Sequence, residues 1–210
     1  QLVEKGGFQI FASGKGECRL PGDGFEYVSI DITNAQEVEK SLASIQPDII
    51  IHGAAMTNVD QCELNREACY DANVNATAYL IQAAEAVKAH FIFVSTDFIF
   101  SGEEGPLDEH AEAAPVNYYG ETKLKGEQMV VACKTKWSIA RTVWVFGIAH
   151  DMSRSNIILW VKSSLEAGKE LQVVDEQFRT PTLAQYLAAG CLVRAEQEAT
   201  GVFKIHGPDF

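Results

Sequence analysis

The chain reads as an α/β protein built on a doubly wound parallel sheet. Two features of the sequence predict this. Strand-like and helix-like hydrophobic patterns alternate along it. The strand-like runs, such as Ile49-Ile50-Ile51 and Phe91-Ile92-Phe93-Val94, are almost uninterrupted apolar stretches, as suits strands covered by helices on both faces. Composition agrees: 47% hydrophobic and 22% charged residues in 210 are ordinary globular usage, which excludes disordered and fibrous classes. The length fits one large α/β domain, or one domain with part of a second.

Taken in order, Phe8–Ala12 and Phe25–Ile30 read as strands, the second closed by Asp31. Asn34 with Glu37 three residues on reads as a capping-box variant. Val38, Leu42 and Ile45 follow at helical spacing until Pro47-Asp48, and Ile49–Ile51 forms a buried strand. An Ala-rich stretch from Arg66 to Lys88 predicts a long helix, and Phe91–Val94 another strand. Gly120 to about Cys133 is helical, and Ser138–Phe146 returns to strand. Asn156–Glu166 reads as a helix stopped by Gly168, and Leu171–Val174 as a short strand. Thr182-Leu183-Ala184-Gln185 reads as a capping box opening a helix to about Glu198, and Gly201–Ile205 as a last strand.

A formal net charge of −12 argues against a nucleic-acid partner or an anionic membrane surface, both of which need clustered Lys and Arg. No apolar run approaches a membrane span, and the chain does not open on a secretory signal. The five cysteines (Cys18, Cys62, Cys69, Cys133 and Cys191) are odd in number and scattered, without C-x-x-C. A disulfide scaffold and a metal knuckle are therefore not expected, nor any other metal site, and a reducing, cytoplasmic compartment is.

A doubly wound dinucleotide fold places its first strand in the middle of the sheet. Here Gln1–Gly7 reads as a helix tail with a Gly stop, and no glycine-rich fingerprint follows any strand. The expectation is that a first strand and a glycine-rich loop precede Gln1.

The sharpest chemical signal is Asn117-Tyr118-Tyr119-Gly120-Glu121-Thr122-Lys123. Tyr119 and Lys123, four apart at a helix start, share one face. An ammonium near a phenol favours the phenolate and eases proton release, so the pair suits general acid work on a carbonyl. Upstream, the strand Phe91–Val94 runs into Ser95-Thr96-Asp97. The C-terminal edge of a parallel strand faces the ligand crevice, so a hydroxyl there can hold a substrate oxygen.

These motifs resemble the extended short-chain dehydrogenase/reductases, and within them the dTDP-4-dehydrorhamnose reductase family. The resemblance rests on His52-Gly-Ala-Ala-Met-Thr-Asn-Val-Asp-Gln-Cys-Glu63, Ser95-Thr-Asp-Phe-Ile-Phe100, Tyr119-Gly-Glu-Thr-Lys-Leu-Lys-Gly-Glu127, Arg141-Thr-Val-Trp-Val-Phe-Gly147 and Val173-Val-Asp-Glu-Gln-Phe-Arg-Thr-Pro-Thr182. It implies a Rossmann-type cofactor domain over residues 1–148 and a smaller C-terminal substrate lobe over 149–210, each incomplete at its outer end. It implies Thr96, Tyr119 and Lys123 as catalytic residues. Asn73, in Asn73-Val-Asn-Ala-Thr77, matches an asparagine that holds the lysine and a water, with Asn75 as a competing alignment.

At the end of the first predicted strand stands Ser13 rather than an acid, with Lys15 and Arg19 close behind. A hydroxyl with cations suits a 2′-phosphate, so NADPH rather than NADH is expected, although Glu17 is an acid that could turn inward. The resemblance places the adenine at Asp31 and Ile32, and the adenosine ribose beside Gly53, Ala54 and Ala55. It places the substrate at Thr57, Val59, Phe98 and Trp144, and Phe98 stands where these reductases often have tyrosine; Arg179, beside Gln177 in the DEQFRTPT stretch, is a cation that could meet the substrate's pyrophosphate. Related dehydratases carry Asp-Glu after the threonine where this chain has Asp97-Phe98, which disfavours elimination. The implied reaction is reduction of the C4 keto group of a dTDP-4-dehydro-6-deoxysugar, giving dTDP-L-rhamnose. A related epimerase or reductase, or a non-catalytic NADP-binding regulatory subunit, stays open. The implied partner is the nucleotide-sugar substrate, with a homodimer as the assembly to test.

Overall fold

A computed structural model describes residues 2–147, 156–173 and 176–207. In chain order the elements are α1 (Leu2–Lys5), β1 (Phe11–Gly14), β2 (Glu26–Ser29), α2 (Ala35–Ile45), β3 (Ile49–His52), α3 (Val59–Leu64) and α4 (Arg66–Tyr70). A π-turn, Asp71–Asn75, joins α4 to α5 (Ala76–Val87). Then come β4 (His90–Thr96), a 3₁₀ turn (Asp97–Ile99), α6 (Tyr118–Ala132), β5 (Trp137–Thr142) and β6 (Val145–Phe146). The last part holds α7 (Ile157–Glu166), β7 (Thr182–Leu183), α8 (Ala184–Glu196) and β8 (Gly201–Lys204).

All strand pairs are parallel. The main ladder runs β3-β4-β5-β8, and β1-β2 and β6-β7 form ladders of their own. Side chains alternate across the main ladder, and both faces are buried. Phe91, Phe93 and Ile139 join Val38, Leu42, Leu80, Ile81, Ala84 and Val130 from α2, α5 and α6. Ile92 and Ala140 pack on the other face with Cys191 and Ala195 of α8. That two-sided cover explains the uninterrupted apolar runs. β2 is tied to the same body, because Ile30 and Val28 belong to the first of these clusters.

Several boundaries differ from expectation for identifiable reasons. The first strand lies three residues later, at Phe11–Gly14, where it pairs residue by residue with Glu26–Ser29. The α2 cap forms as expected. Asn34 Oδ1 accepts from the Gln36 and Glu37 amides, and the Glu37 carboxylate accepts from Asn34 Nδ2 and from the Asp31 amide. The long helix after Arg66 carries the π-turn inside it, which turns Asn73 inward. The run Ser138–Phe146 splits in two: β5 ends at Thr142, and Trp144 adopts φ +37° before β6 starts.

The Thr182–Gln185 capping box does not form. Thr182 lies in β7, its hydroxyl buried without a partner among the described residues, and α8 opens from Leu183 with no side-chain cap bond. Pairing with Val145 has displaced the cap. Leu171–Val173 form no strand, and Val174 lies outside the described residues.

Candidate functional site

Within each ladder the strands run parallel, so their C-terminal ends share one side, and the catalytic candidates lie at the end of β4 in the main ladder. β4 delivers Thr96, 6% exposed, and the chain turns immediately into the 3₁₀ turn. Thr96 Oγ1 caps that turn by accepting from the Phe98 amide at 3.3 Å. α6 starts where Asn117 Oδ1 accepts from the Gly120 amide at 2.8 Å. The helix comes unusually close to β4 and its turn: a Cβ on Gly120 would sit 2.1 Å from the Phe98 carbonyl oxygen, and one on Gly126 would sit 2.7 Å from the Phe93 ring. Glycine at both positions is what brings Tyr119 and Lys123 down onto the strand end.

Tyr119 is 8% exposed and packs edge-on against Phe98, with ring centroids 5.7 Å apart. Burial pushes its phenol up to about 12; the Thr96 hydroxyl pulls the other way, and the Asp97 charge adds to the rise. Lys123 is 3% exposed. Its Nζ donates to the Val94 carbonyl at 2.8 Å and lies 3.9 Å from the Phe93 ring centroid. Burial lowers this ammonium to about 7, and Glu127 partly opposes the fall.

This departs from the electrostatics that the spacing suggests. The helix face does bring Tyr119 and Lys123 to the same region, but the ammonium turns to the strand carbonyl and does not depress the phenol. Burial dominates both groups.

Asn73 is buried in the π-turn and works as a tie. Its Oδ1 accepts from the Met56 amide at 2.8 Å, and its Nδ2 donates to Met56 O and Thr122 Oγ1, each at 3.0 Å. It therefore joins the loop after β3 to the residue beside Lys123. Asn75 instead bonds Asp71. Val59 opens α3 and packs with Met56, Phe98 and Tyr118 around Cys62, Cys69 and Tyr119. His52 sits deep in the core, beside the Phe91 and Phe93 rings and bonded to Thr77 at 3.1 Å, and burial drives it down to about 3. It is a neutral structural histidine.

At the end of β1, Ser13 is exposed, and Lys15 pairs with Asp31 at 2.6 Å. Asp31 also accepts from the Thr33 amide and hydroxyl, and these contacts hold it at about 2. Arg19 is exposed in the connection to β2, and Ile32 is half-buried after it. Gly53, Ala54 and Ala55 form irregular backbone directly after β3, and Thr57 is exposed two residues further on. Phe98 and Trp144 both meet Arg179: its guanidinium lies 4.7 Å from the Phe98 ring and 5.5 Å from the Trp144 ring. Asp175, in the same segment as Arg179, lies outside the described residues.

Sequence reasoning did not single out Thr122, Met56 or the Arg141–Glu127 pair. Arg141 bonds both Glu127 oxygens and the Glu109 carbonyl, tying β5 to the face of α6 that carries Tyr119 and Lys123. The only available signal was Glu127 continuing the four-residue spacing of Tyr119 and Lys123.

The residues fit a nicotinamide dinucleotide. An ammonium has three donors, and Lys123 spends one on Val94, which leaves two for a ribose diol. The small residues after β3 admit close backbone approach. Among the described residues no group of side chains could hold a metal ion, and no helix is long and apolar enough to cross a membrane. A cavity of about 1020 Å³ opens at the opposite edge of the sheet. Its lysines Lys88, Lys134 and Lys136 are matched by Asp48, Glu85 and Glu198, so it carries no net charge to recruit a phosphate.

Residues 3–207 match the family model described as RmlD substrate binding domain. The chain belongs to this family. It is 31% identical over 204 residues to a dTDP-4-dehydrorhamnose reductase of Aggregatibacter actinomycetemcomitans, covering 95% of this chain and 63% of that protein. The chain thus spans less than two thirds of that relative's length. Among solved structures, a dTDP-4-dehydrorhamnose reductase of Clostridium acetobutylicum superposes with a TM-score of 0.84 at 31% identity, over 96% of this chain and 75% of that one. Another, from Bacillus anthracis and in complex with NADP, gives 0.82 at 29% identity, over 91% and 69%. The Rossmann-like α/β fold expected from the sequence is therefore that of these family members.

Proposed function

We propose that the protein is part of an NADPH-dependent oxidoreductase that reduces the C4 keto group of a dTDP-4-dehydro-6-deoxysugar, giving dTDP-L-rhamnose. The observation that carries this is the packing of Tyr119 beside Thr96 at the end of β4, with Lys123 one helical turn on. The family's relatives bear the matching name, and one was solved with NADP. When bound, the nicotinamide supplies a hydride to the carbonyl carbon.

The chain's own residues do the rest. Tyr119, a phenol that burial keeps protonated, gives its proton to the developing alkoxide. Thr96 offers its hydroxyl to the same oxygen. Lys123 turns its spare donors to the nicotinamide ribose. Thr57, Val59, Phe98 and Trp144 wall the sugar site. Ser13, Lys15 and Arg19 receive the 2′-phosphate, Asp31 and Ile32 the adenine, and Gly53, Ala54 and Ala55 the adenosine ribose. Asn73 holds the lysine's neighbour Thr122 in place. In this reading residues 1–148 serve the cofactor and 149–210 the substrate, the enzyme works in the cytoplasm, and a homodimer is the assembly to test.

The test is turnover by the full-length protein. Oxidation of NADPH with dTDP-4-dehydro-L-rhamnose, with dTDP-L-rhamnose as product, supports the reading. NADPH binding without turnover makes the protein a regulatory subunit. Interconversion of sugar epimers without net NADPH loss makes it an epimerase.

A further inference from the structure

Arg179 stands in an unexpected place. A residue expected at a pyrophosphate is ion-paired to Asp97, directly after Thr96, and lies over the Phe98 and Trp144 rings. The two side chains are 19% and 22% exposed, so the pair is largely out of water. A guanidinium that has spent its charge on a carboxylate and its faces on aromatic rings has little left for an incoming diphosphate.

Asp97 is the centre of this arrangement. One carboxylate oxygen takes Arg179, and the other accepts from the Thr96 hydroxyl at 3.3 Å. That second bond is long for O–H···O, so the hydroxyl can leave it for a substrate oxygen at little cost. The Thr96 oxygen meanwhile accepts from the Phe98 amide, which fixes its lone pairs. Burial works to protonate Asp97, and the Arg179 charge opposes this. Were Asp97 to gain a proton, an O–H donor would replace the acceptor that now orients Thr96. The groups facing Asp97 are Arg179 from the 176–181 segment, Thr96 from β4 and Tyr119 from α6, with Cys62 and Cys69 beside the tyrosine. Trp144 adds an independent sign of a built site. It holds φ +37°, and its carbonyl accepts from the Thr182 amide at 3.2 Å. Backbone of that kind persists where the surroundings impose it, commonly at functional sites.

We infer that Arg179, packed over the Phe98 and Trp144 rings, is a positioning residue that clamps Asp97 and so sets the direction of the Thr96 hydroxyl. In catalysis this rests on the reductase reading; the clamp itself does not.

The experiment therefore has one arm that needs no turnover. The Asp97 carboxyl is titrated by carbon NMR in the full-length protein and in Arg179→Gln. Loss of the cation is expected to move the midpoint to higher pH, by roughly one pH unit or more; an unchanged midpoint overturns the clamp. Absent wild-type turnover would count against the reductase reading alone. In the kinetic arm, Arg179→Gln is expected to lower kcat about 10- to 100-fold, with KM for the nucleotide sugar and NADPH binding little changed. Arg179→Lys, which keeps the charge, recovers part of the loss. Added to Asp97→Asn, Arg179→Gln costs nothing further, because the two act as one unit. A raised KM with kcat intact and no coupling to Asp97 would return Arg179 to the pyrophosphate and overturn the inference, and so would additive losses in the double variant.

Discussion

Lys123 and Lys15 both stand near the C-terminal ends of parallel strands, and their surroundings treat the same ammonium in opposite ways. Lys123 is 3% exposed, has no ion pair among the described residues, and is driven down to about 7 by burial. Lys15 has a side chain 77% exposed, pairs with Asp31 and is held above its ordinary value. Desolvation opposes the charge at the first site; a neighbouring carboxylate favours it at the second. The end of β4 thus holds an ammonium whose charge burial opposes, and the end of β1 one whose charge a carboxylate supports. Water screens the second far more than the first, so substitutions there have smaller effects.

The sharpest way to break this contrast is at the buried end. Tyr119→Phe removes one hydroxyl with little change in volume. Turnover of the full-length protein is expected to fall about 10²- to 10⁴-fold while NADPH binding survives. Steady-state kinetics with a cofactor titration checks it, and near-normal turnover removes Tyr119 from the mechanism.

The two ion pairs offer a second comparison. The Arg141 and Glu127 side chains are 10% and 5% exposed. Arg141→Met strands a buried carboxylate and is expected to cost about 3–5 kcal/mol in denaturant unfolding. Lys15→Ala, at the exposed pair, is expected to leave the unfolding midpoint unmoved. Equal costs would show that burial does not separate the two regions.

A third test reads the lysine's proton through stability. In the unfolded chain Lys123 loses its proton near 10.5, in the fold near 7. Between these values the unfolded state binds the extra proton, so this group makes stability rise with pH. Below about 7 both states are charged and the burial cost is fully present; above about 10.5 it is gone. Lys123→Met should therefore stabilise the cofactor-free protein most below pH 7, with the advantage shrinking as pH rises to 10.5. Thermal melts of both proteins across that window measure it; a constant difference would mean that Lys123 stays charged in the fold.

The smallest effect is expected in cofactor choice. Asp31 neutralises the cation proposed for the 2′-phosphate, so Asp31→Asn should raise the ratio of kcat/KM for NADPH over NADH severalfold, and Lys15→Ala should lower it. No movement in either variant would take Lys15 out of phosphate recognition.

Local chemistry determined much of this molecule. The period of apolar residues placed the helices and the buried strands to within a few residues, because a strand covered on both faces must be apolar throughout. Tyr119 and Lys123 could be picked out because a helical spacing restricts where a side chain can point, whereas the strand end offered Ser95 and Thr96 alike and only the family resemblance singled out Thr96. Asn34 and Glu37 specified their own cap, since every partner lies within a few residues. Features that depend on distant partners were decided only by the tertiary structure. Thr182 had the local pattern of a cap, yet pairing of its strand with Val145 prevailed. Arg179 had the look of a solvated phosphate ligand until the fold carried Asp97, 82 positions away, to its guanidinium. The phenol value reversed expectation for the same reason. Spacing says which charges are neighbours, but desolvation depends on everything packed around them, and only the close approach of α6 to β4 at Gly120 and Gly126 made that term dominant.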